Sequence, residues 1–326
     1  MLGSLVDEVR LYIGSHLDEV ERMLRLEAES ASTTIRDALV YILTSGGKRI
    51  RPIITLLTGF ILGGVTKRHV ELACVLEMMH HATLIHDDVI DRANVRRGDE
   101  TVNKRWGDRV AILVGDYLLT RMIHRLITNI GDEWISARVV ESCGRLCTGE
   151  VEEIEHINDV DITEDTYMRI VENKTAQFFG CATASSAKLS GVDMDMVGMF
   201  YKFGLNLGFG FQIMDDVLDI TADDGFGKER FKDLKEGNIT LPFIYMFSND
   251  NGYNRELVMN FIITRREEYL EDIYGIIKSN GVIEKTREKA LEYCNRAISE
   301  IEKANISIEA SGLLSKLGLW MVNRDV

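Results

Sequence analysis

KRHVELACVLEMMHHATLIHDDVIDR, residues 67–92, reads as a single helix. Apolar residues recur three and four places apart, and no glycine or proline interrupts them. The helix ends in HDDVID, which sets Asp87, Asp88 and Asp91 at the close of an otherwise apolar stretch. Asp87 and Asp91, four residues apart, share one face. The same spacing returns in FQIMDDVLD at 211–219, where Asp215, Asp216 and Asp219 close a second apolar helix. One such cluster alone reads as a solvated helix end. Two, each embedded in apolar surroundings, point to a function.

Outward from these stretches the helical period continues. Three- and four-residue spacing predicts helices over 5–29, 33–45, 52–63, 108–129, 132–157, 164–190, 193–221, 240–248, 254–279 and 281–304, with a weaker one near 308–323. Only two prolines occur, Pro52 and Pro242, each ahead of an apolar run, where proline suits the first turn of a helix. No alternating runs are joined by tight turns, so strands are not expected. The fold class is all-α, a bundle of long helices around a central cavity. With no proline- or serine-rich linker, residues 1–326 are expected to form one domain. The stretch DDGFGKERFKDLKEGN at 223–238 alone reads as irregular.

Composition narrows the function. The 326 residues are 45% apolar and 28% charged, as in a folded globular protein. A net charge of −14 argues against nucleic acid as a partner. Five cysteines, Cys74, Cys143, Cys147, Cys181 and Cys294, form no CxxC pair and suit a reducing compartment. The N-terminus carries acids every few residues and lacks a signal-peptide core, and apolar runs such as PIITLLTGFILGGV fall short of the roughly 20 residues a membrane span needs. A cytoplasmic protein is expected.

The aspartates have a chemistry of their own. Carboxylates are rarely buried unless paired or metal-bound, and like charges ~4 Å apart repel by ~4 kcal/mol at an effective dielectric of 20. Gathering six of them needs divalent cations. Oxygen donors without cysteine or histidine favour Mg²⁺, which takes one or two carboxylates with water and substrate phosphate. Cations to meet a phosphate lie in GGKRIRP (46–52) and RRG (96–98). Taken alone GGKRIRP is a surface loop with solvated cations. With the acidic clusters it suggests a diphosphate pocket.

GGKRIRP, HHATLIHDDVIDRANVRRG, KTAQFF, FQIMDDVLD and DLKEGNITLP, running in that order across 46–242, resemble the trans-isoprenyl diphosphate synthase family. The resemblance implies roles. Lys48, Arg51, His80 and Arg97 match positions that hold isopentenyl diphosphate. Arg96, Lys174, Thr175, Gln212 and Lys228 match the allylic diphosphate side. Asp87, Asp88, Asp91, Asp215, Asp216 and Asp219 match the ligands of several Mg²⁺ ions, and with Lys174 form the catalytic set. Spacing alone would leave His80 a core histidine beside His81 and His86, and Lys174 solvent-facing. Asn238 departs from the pattern, standing where the family usually has lysine; Lys232 and Lys235 are the nearest substitutes.

In the implied mechanism the allylic carbon–oxygen bond ionises and isopentenyl diphosphate attacks the cation in a dry apolar cavity. Leu76, His80, Thr83, Asp87 and Asp91 share a broad helix face, so residues before Asp87 line the product channel. Ala82 and Thr83 are small where shorter-chain members carry an aromatic floor, and Met79 lies a turn deeper. Small residues there also simply permit close helix packing. An all-trans product longer than C20, from a farnesyl or geranylgeranyl primer, is expected. The alternatives are a geranylgeranyl diphosphate synthase, or a silent partner subunit of a heteromeric synthase. A terpene cyclase has no use for a second diphosphate pocket. A ferritin-like bundle would pair Glu153 and His156 with a second such motif that is absent, so EVEEIEHIND (150–159) reads as a solvated acidic face. Homodimerisation is implied, with AILVGDYLLTRM (111–122) suiting an interface helix or the core, and membrane contact is expected to be transient.

Overall fold

A computed structural model describes residues 2–44, 47–96, 98–221, 230–248, 252–304 and 306–323. The chain divides into two compact units, one of residues 3–143 and 181–198, the other of residues 144–180 and 199–326.

The first unit begins with α1 (Leu2–Glu29), which buries Val9, Ile13, Leu17, Val20, Leu24 and Ala28 along one stripe. α2 (Thr33–Thr44) and α3 (Ile50–Ile61) follow, the latter buried without a break from Pro52 to Gly59. α4 (Lys67–Ile90) is buried on nearly every side through its middle, as expected of a helix apolar all round. It packs against α3 and α6 (Asp108–Arg125). Glu27 of α1 is buried and takes a hydrogen bond from Arg121 and another from Arg125 Nε at 2.9 Å; Arg125 also reaches Glu71 of α4 at 2.8 Å. Burial works to raise the Glu27 pKa, but the two guanidiniums outweigh it and hold the carboxyl below its usual range. Elsewhere in this unit the His69 ring fills the space over Gly59, where a Cβ would stand 2.6 Å away.

The second unit takes in the C-terminal part of α7 (Glu133–Glu155), α8 (Glu164–Val171), and most of α10 (Met194–Thr221). It continues through α11 (Lys232–Glu236), α12 (Leu241–Phe247), α13 (Tyr253–Thr264), α14 (Glu268–Ser279), α15 (Val282–Lys303) and α16 (Ile308–Val322). Phe209, Ile213, Val217 and Ile220 of α10 enter one core with Phe243, Phe247, Phe261, Ile273, Ile277 and Cys294. Divisions between the units fall inside α7, α9 (Gln177–Leu189) and α10.

The all-α expectation holds, and every long predicted helix is present to within a few residues. Several details differ. A two-residue antiparallel ladder, β1 (Val95–Arg96) with β2 (Asp99–Glu100), occurs where no strand was expected. Residues 254–279 break into α13 and α14 because Arg265 takes a left-handed backbone with φ 56°. The predicted helix 164–190 contains a wide π-turn over Glu172–Ala176. The stretch expected to be irregular holds α11, and a short α5 (Val102–Trp106) precedes α6.

Candidate functional site

In the first unit the aspartate-rich stretch forms the last turn of α4, with Asp91 as its C-cap. The three carboxylates are not equivalent. Asp87 is half-buried and Asp91 exposed, while Asp88 is 1% exposed and accepts a 2.7 Å hydrogen bond from Arg96 Nε on β1. The Asp88 carbonyl takes Ala93 N at 2.9 Å and Asn103 Nδ2 at 3.2 Å, so the acidic turn is tied to the loop that follows.

Lys48 is exposed and Arg51 half-buried. Arg49 between them is not the solvated cation that the motif alone suggests. It caps α3 with φ 48° and binds Glu21, the buried Glu77 and the Leu43 carbonyl. Burial acts to raise the Glu77 pKa, but the His81 hydrogen bond and the charges of His81, His80 and Arg49 hold it far below the usual carboxylate range. His80 is half-buried beside His81, their rings 5.9 Å apart. Thr83 donates to the His80 carbonyl at 2.9 Å, and Met79 and Ala82 are fully buried on α4. Arg97 lies outside the described residues, as does Lys228.

The second unit builds its acidic turn at the end of α10. Asp216, 2% exposed, accepts from Tyr167 Oη at 2.5 Å on one oxygen and from Gln212 Nε2 at 3.0 Å on the other. Thr175 Oγ1 donates to Gln212 Oε1 at 2.9 Å, which extends the chain of bonds to the π-turn. Asp219 accepts the backbone N–H groups of Lys232 at 3.0 Å and Asp233 at 3.3 Å, so it caps α11. Burial, together with the neighbouring Asp215 and Asp219, pushes Asp216 up to about 7, against the two hydrogen bonds it accepts. Burial pushes Asp219 up to about 6 against its backbone hydrogen bonds. Asp233 is raised well above its ordinary value by burial and by the charges of Asp219 and Asp216.

Lys174 also departs from its expected surroundings. It sits in the π-turn and forms ion pairs with Glu150 at 2.7 Å and with Glu153. Burial opposes its charge, but Glu153 and Glu150 outweigh it and hold the ammonium above its usual pKa. Glu153 in turn is raised, since burial and crowding by Glu150 exceed its half-share of the lysine. The segment 150–159 is therefore not a solvated acidic face: Glu150 is buried and Glu153 half-buried around a cation from another helix. At Asn238, the N–H closes a turn on Asp233 O at 2.8 Å.

A hard divalent cation fits this donor set. The acidic turns offer carboxylate oxygens only, and in the second unit burial, with repulsion from neighbouring carboxylates, raises three carboxyls that a cation would relieve. Among the described residues no three ligating side chains are already gathered around one point.

The model of the polyprenyl synthetase family matches residues 32–278. The chain belongs to this family. The all-trans-nonaprenyl-diphosphate synthase (geranyl-diphosphate specific) of Rhodobacter capsulatus is 35% identical over 264 residues, covering 80% of this chain and 81% of that protein. Among solved structures, a decaprenyl diphosphate synthase from Rhodobacter capsulatus matches with a TM-score of 0.91 at 28% identity, over 98% of this chain and all (100%) of that one. A polyprenyl synthase from Caulobacter crescentus, complexed with calcium and isoprenyl diphosphate, matches with a TM-score of 0.91 at 26% identity, over 98% of each chain.

For a polyprenyl synthetase, an enzyme that transfers prenyl groups, the sequence motifs named the acidic and basic clusters and missed several of the groups packed against them. Tyr167 and Glu77 carried no visible signal, Glu150 and Glu153 read as part of a solvated face, and Asp233 lay in a motif without a role of its own, because their partners come from other helices. A tyrosine seven residues before Lys174 is an ordinary helix residue until the fold lays it on Asp216.

Proposed function

We propose that the chain condenses isopentenyl diphosphate with an allylic diphosphate, farnesyl or geranylgeranyl, and elongates it to an all-trans polyprenyl diphosphate longer than C20. The observation that carries this reading is the repeated aspartate-rich helix end, on α4 and again on α10, in a member of this family. Mg²⁺, when bound, supplies Lewis-acid stabilisation of the departing diphosphate. Asp87, Asp91, Asp215 and Asp219 are the residues that hold it. Asp88 and Asp216, buried and hydrogen-bonded within the protein, orient the neighbours that do the binding. This reading narrows the six expected ligands to four.

Lys48, Arg51, His80 and Arg97 bind isopentenyl diphosphate, and Arg96, Lys174, Thr175, Gln212 and Lys228 serve the allylic diphosphate. Held between two carboxylates, Lys174 keeps its proton, and it meets the allylic diphosphate by exchanging a carboxylate for it. Met79 and Ala82, buried on α4, and Thr83 set product length; no aromatic side chain occupies 82 or 83. Residues 1–326 work as one catalytic domain. No helix among the described residues is long and apolar enough to cross a membrane, which supports a cytoplasmic enzyme with transient membrane contact at product release. Ile112, Leu113, Ile123 and Ile127 remain exposed along α6 and its extension, Ile127 at 68%. That face supports a homodimer.

The test is incubation with Mg²⁺, labelled isopentenyl diphosphate and each primer, followed by chromatography of the dephosphorylated products. The expected result is an EDTA-sensitive ladder ending beyond C20. A dominant C20 product overturns the chain-length reading, and no condensation with any primer overturns the activity itself.

A further inference from the structure

Arg49 is the cation of GGKRIRP to which no diphosphate role falls. Its guanidinium is saturated by protein. Nε donates to Glu21 Oε1 at 2.5 Å, and Nη2 donates to Glu21 Oε2 at 3.2 Å and to Leu43 O at 2.8 Å. Nη1 donates to Glu77 Oε1 at 2.9 Å and lies 2.9 Å from His81 Nε2. Five contacts use the five N–H donors an arginine has. Two carboxylates, one of them buried, already neutralise the charge. A phosphate would have to displace both.

The backbone of Arg49 is as constrained as its side chain. At φ 48° and ψ 37° it lies in the left-handed region that side-chain-bearing residues seldom occupy. Its carbonyl accepts Ile53 N at 3.0 Å, so the residue that reverses the chain also starts α3. Lys48 precedes this reversal and Arg51 sits in the first turn after it. A change at Arg49 therefore turns Lys48 relative to Arg51. The side-chain bonds run to α1 through Glu21, to α2 through Leu43, and to α4 through Glu77 and His81, the neighbour of His80. The loop and the histidine are thus fastened through one guanidinium.

We infer that Arg49 is a positioning residue: its clamp on Glu21 and Glu77 fixes the register in which Lys48, Arg51 and His80 meet the diphosphate of isopentenyl diphosphate. The inference rests on the assignment of those three residues under Proposed function. It predicts a defect confined to one substrate, because the other diphosphate is assigned to other residues.

The experiment measures isopentenyl diphosphate binding by calorimetry without allylic substrate, and the KM of each substrate, for wild type, Arg49→Gly, Arg49→Lys and Glu21→Gln. Glycine takes the left-handed backbone freely and lacks the clamp, so it separates the two functions of the residue. Arg49→Gly and Arg49→Lys are expected to weaken isopentenyl diphosphate about tenfold or more, with the allylic KM and kcat within about twofold. Glu21→Gln, which leaves Glu77 its arginine, shifts the same constant in the same direction by less, and it carries the test if the Arg49 variants do not fold. Unchanged affinity in Arg49→Gly, or in Glu21→Gln where that variant carries the test, overturns the inference, as does a parallel loss for both substrates. Failure of the wild type to bind isopentenyl diphosphate overturns the underlying assignment instead.

Discussion

Asp216 and Asp215 are adjacent in sequence and differ in surroundings. Asp216 has both oxygens engaged by Tyr167 and Gln212 and is nearly inaccessible, whereas Asp215 is half-buried. A buried carboxylate whose lone pairs are used inside the protein acts as an anchor, holding Gln212 and through it Thr175. An amide can replace such an anchor, since it retains one acceptor oxygen and the shape of the side chain. A metal ligand cannot be replaced so easily, because the charge is what binds. Asp215→Asn is expected to lower kcat/KM by roughly 10²–10³-fold, the scale on which one electrostatic stabiliser acts. Asp216→Asn is expected to retain at least about tenfold more activity than Asp215→Asn. Equal losses would return Asp216 to the ligand set. Tyr167 keeps its proton in this arrangement: burial and the adjacent Asp216 both push its pKa well above that of an ordinary phenol.

The π-turn over Glu172–Ala176 carries Lys174 and Thr175, and two glycines let other helices approach it. A Cβ on Gly208 of α10 would stand 2.6 Å from Ala176 Cα, and one on Gly149 of α7 would stand 2.8 Å from Lys174 Cγ. The first contact is with backbone, which has no rotamer through which to retreat. Gly208→Ala is therefore expected to cost about 1–3 kcal/mol, the usual scale of overpacking. The urea midpoint reads that loss. Displacing the turn from α10 also moves Thr175 from Gln212, so the KM of the allylic substrate should rise more than that of isopentenyl diphosphate. A stable variant with unchanged kinetics would mean that the close approach has no part in the site. The helical period in the sequence predicted a continuous helix here. It could not show the wide turn, because one extra residue in a turn leaves the apolar spacing almost unaltered.

Across the whole molecule two sets of buried carboxyls make stability respond to pH in opposite senses. Glu77 and Glu27 have folded pKa values below their ordinary ones, so their contribution is present above about pH 4 and is lost as pH falls. Asp216 and Asp219 are raised to about 7 and about 6, so their contribution is present below about pH 4 and is lost as pH rises through 6 to 7. The metal-free protein is expected to have a higher Tm at pH 5.5 than at pH 8. Mg²⁺ with inorganic diphosphate should raise the Tm more at pH 8, where Asp219 is ionised and binds a cation best. Asp216→Asn should flatten the metal-free profile. A Tm that rises from pH 5.5 to pH 8 without metal would contradict the assignment.

The sequence by itself determined the helices and the clusters of charge they carry. Apolar spacing of three and four is a local property, and DDVID, DDVLD and GGKRIRP bring their reacting groups together within a few residues. Only the tertiary structure decided which partners inside the protein some of those charges meet. Arg49 reads like Lys48 until Glu77, 28 residues away, is set against it. Asp216 reads like Asp215 until Tyr167, 49 residues away, reaches its carboxylate. Lys174 reads as solvent-facing until Glu150 and Glu153 enclose it. The physical reason is common to the three: a charge buried by folding needs a partner, and that partner is supplied by another helix, whose nearness no local pattern records.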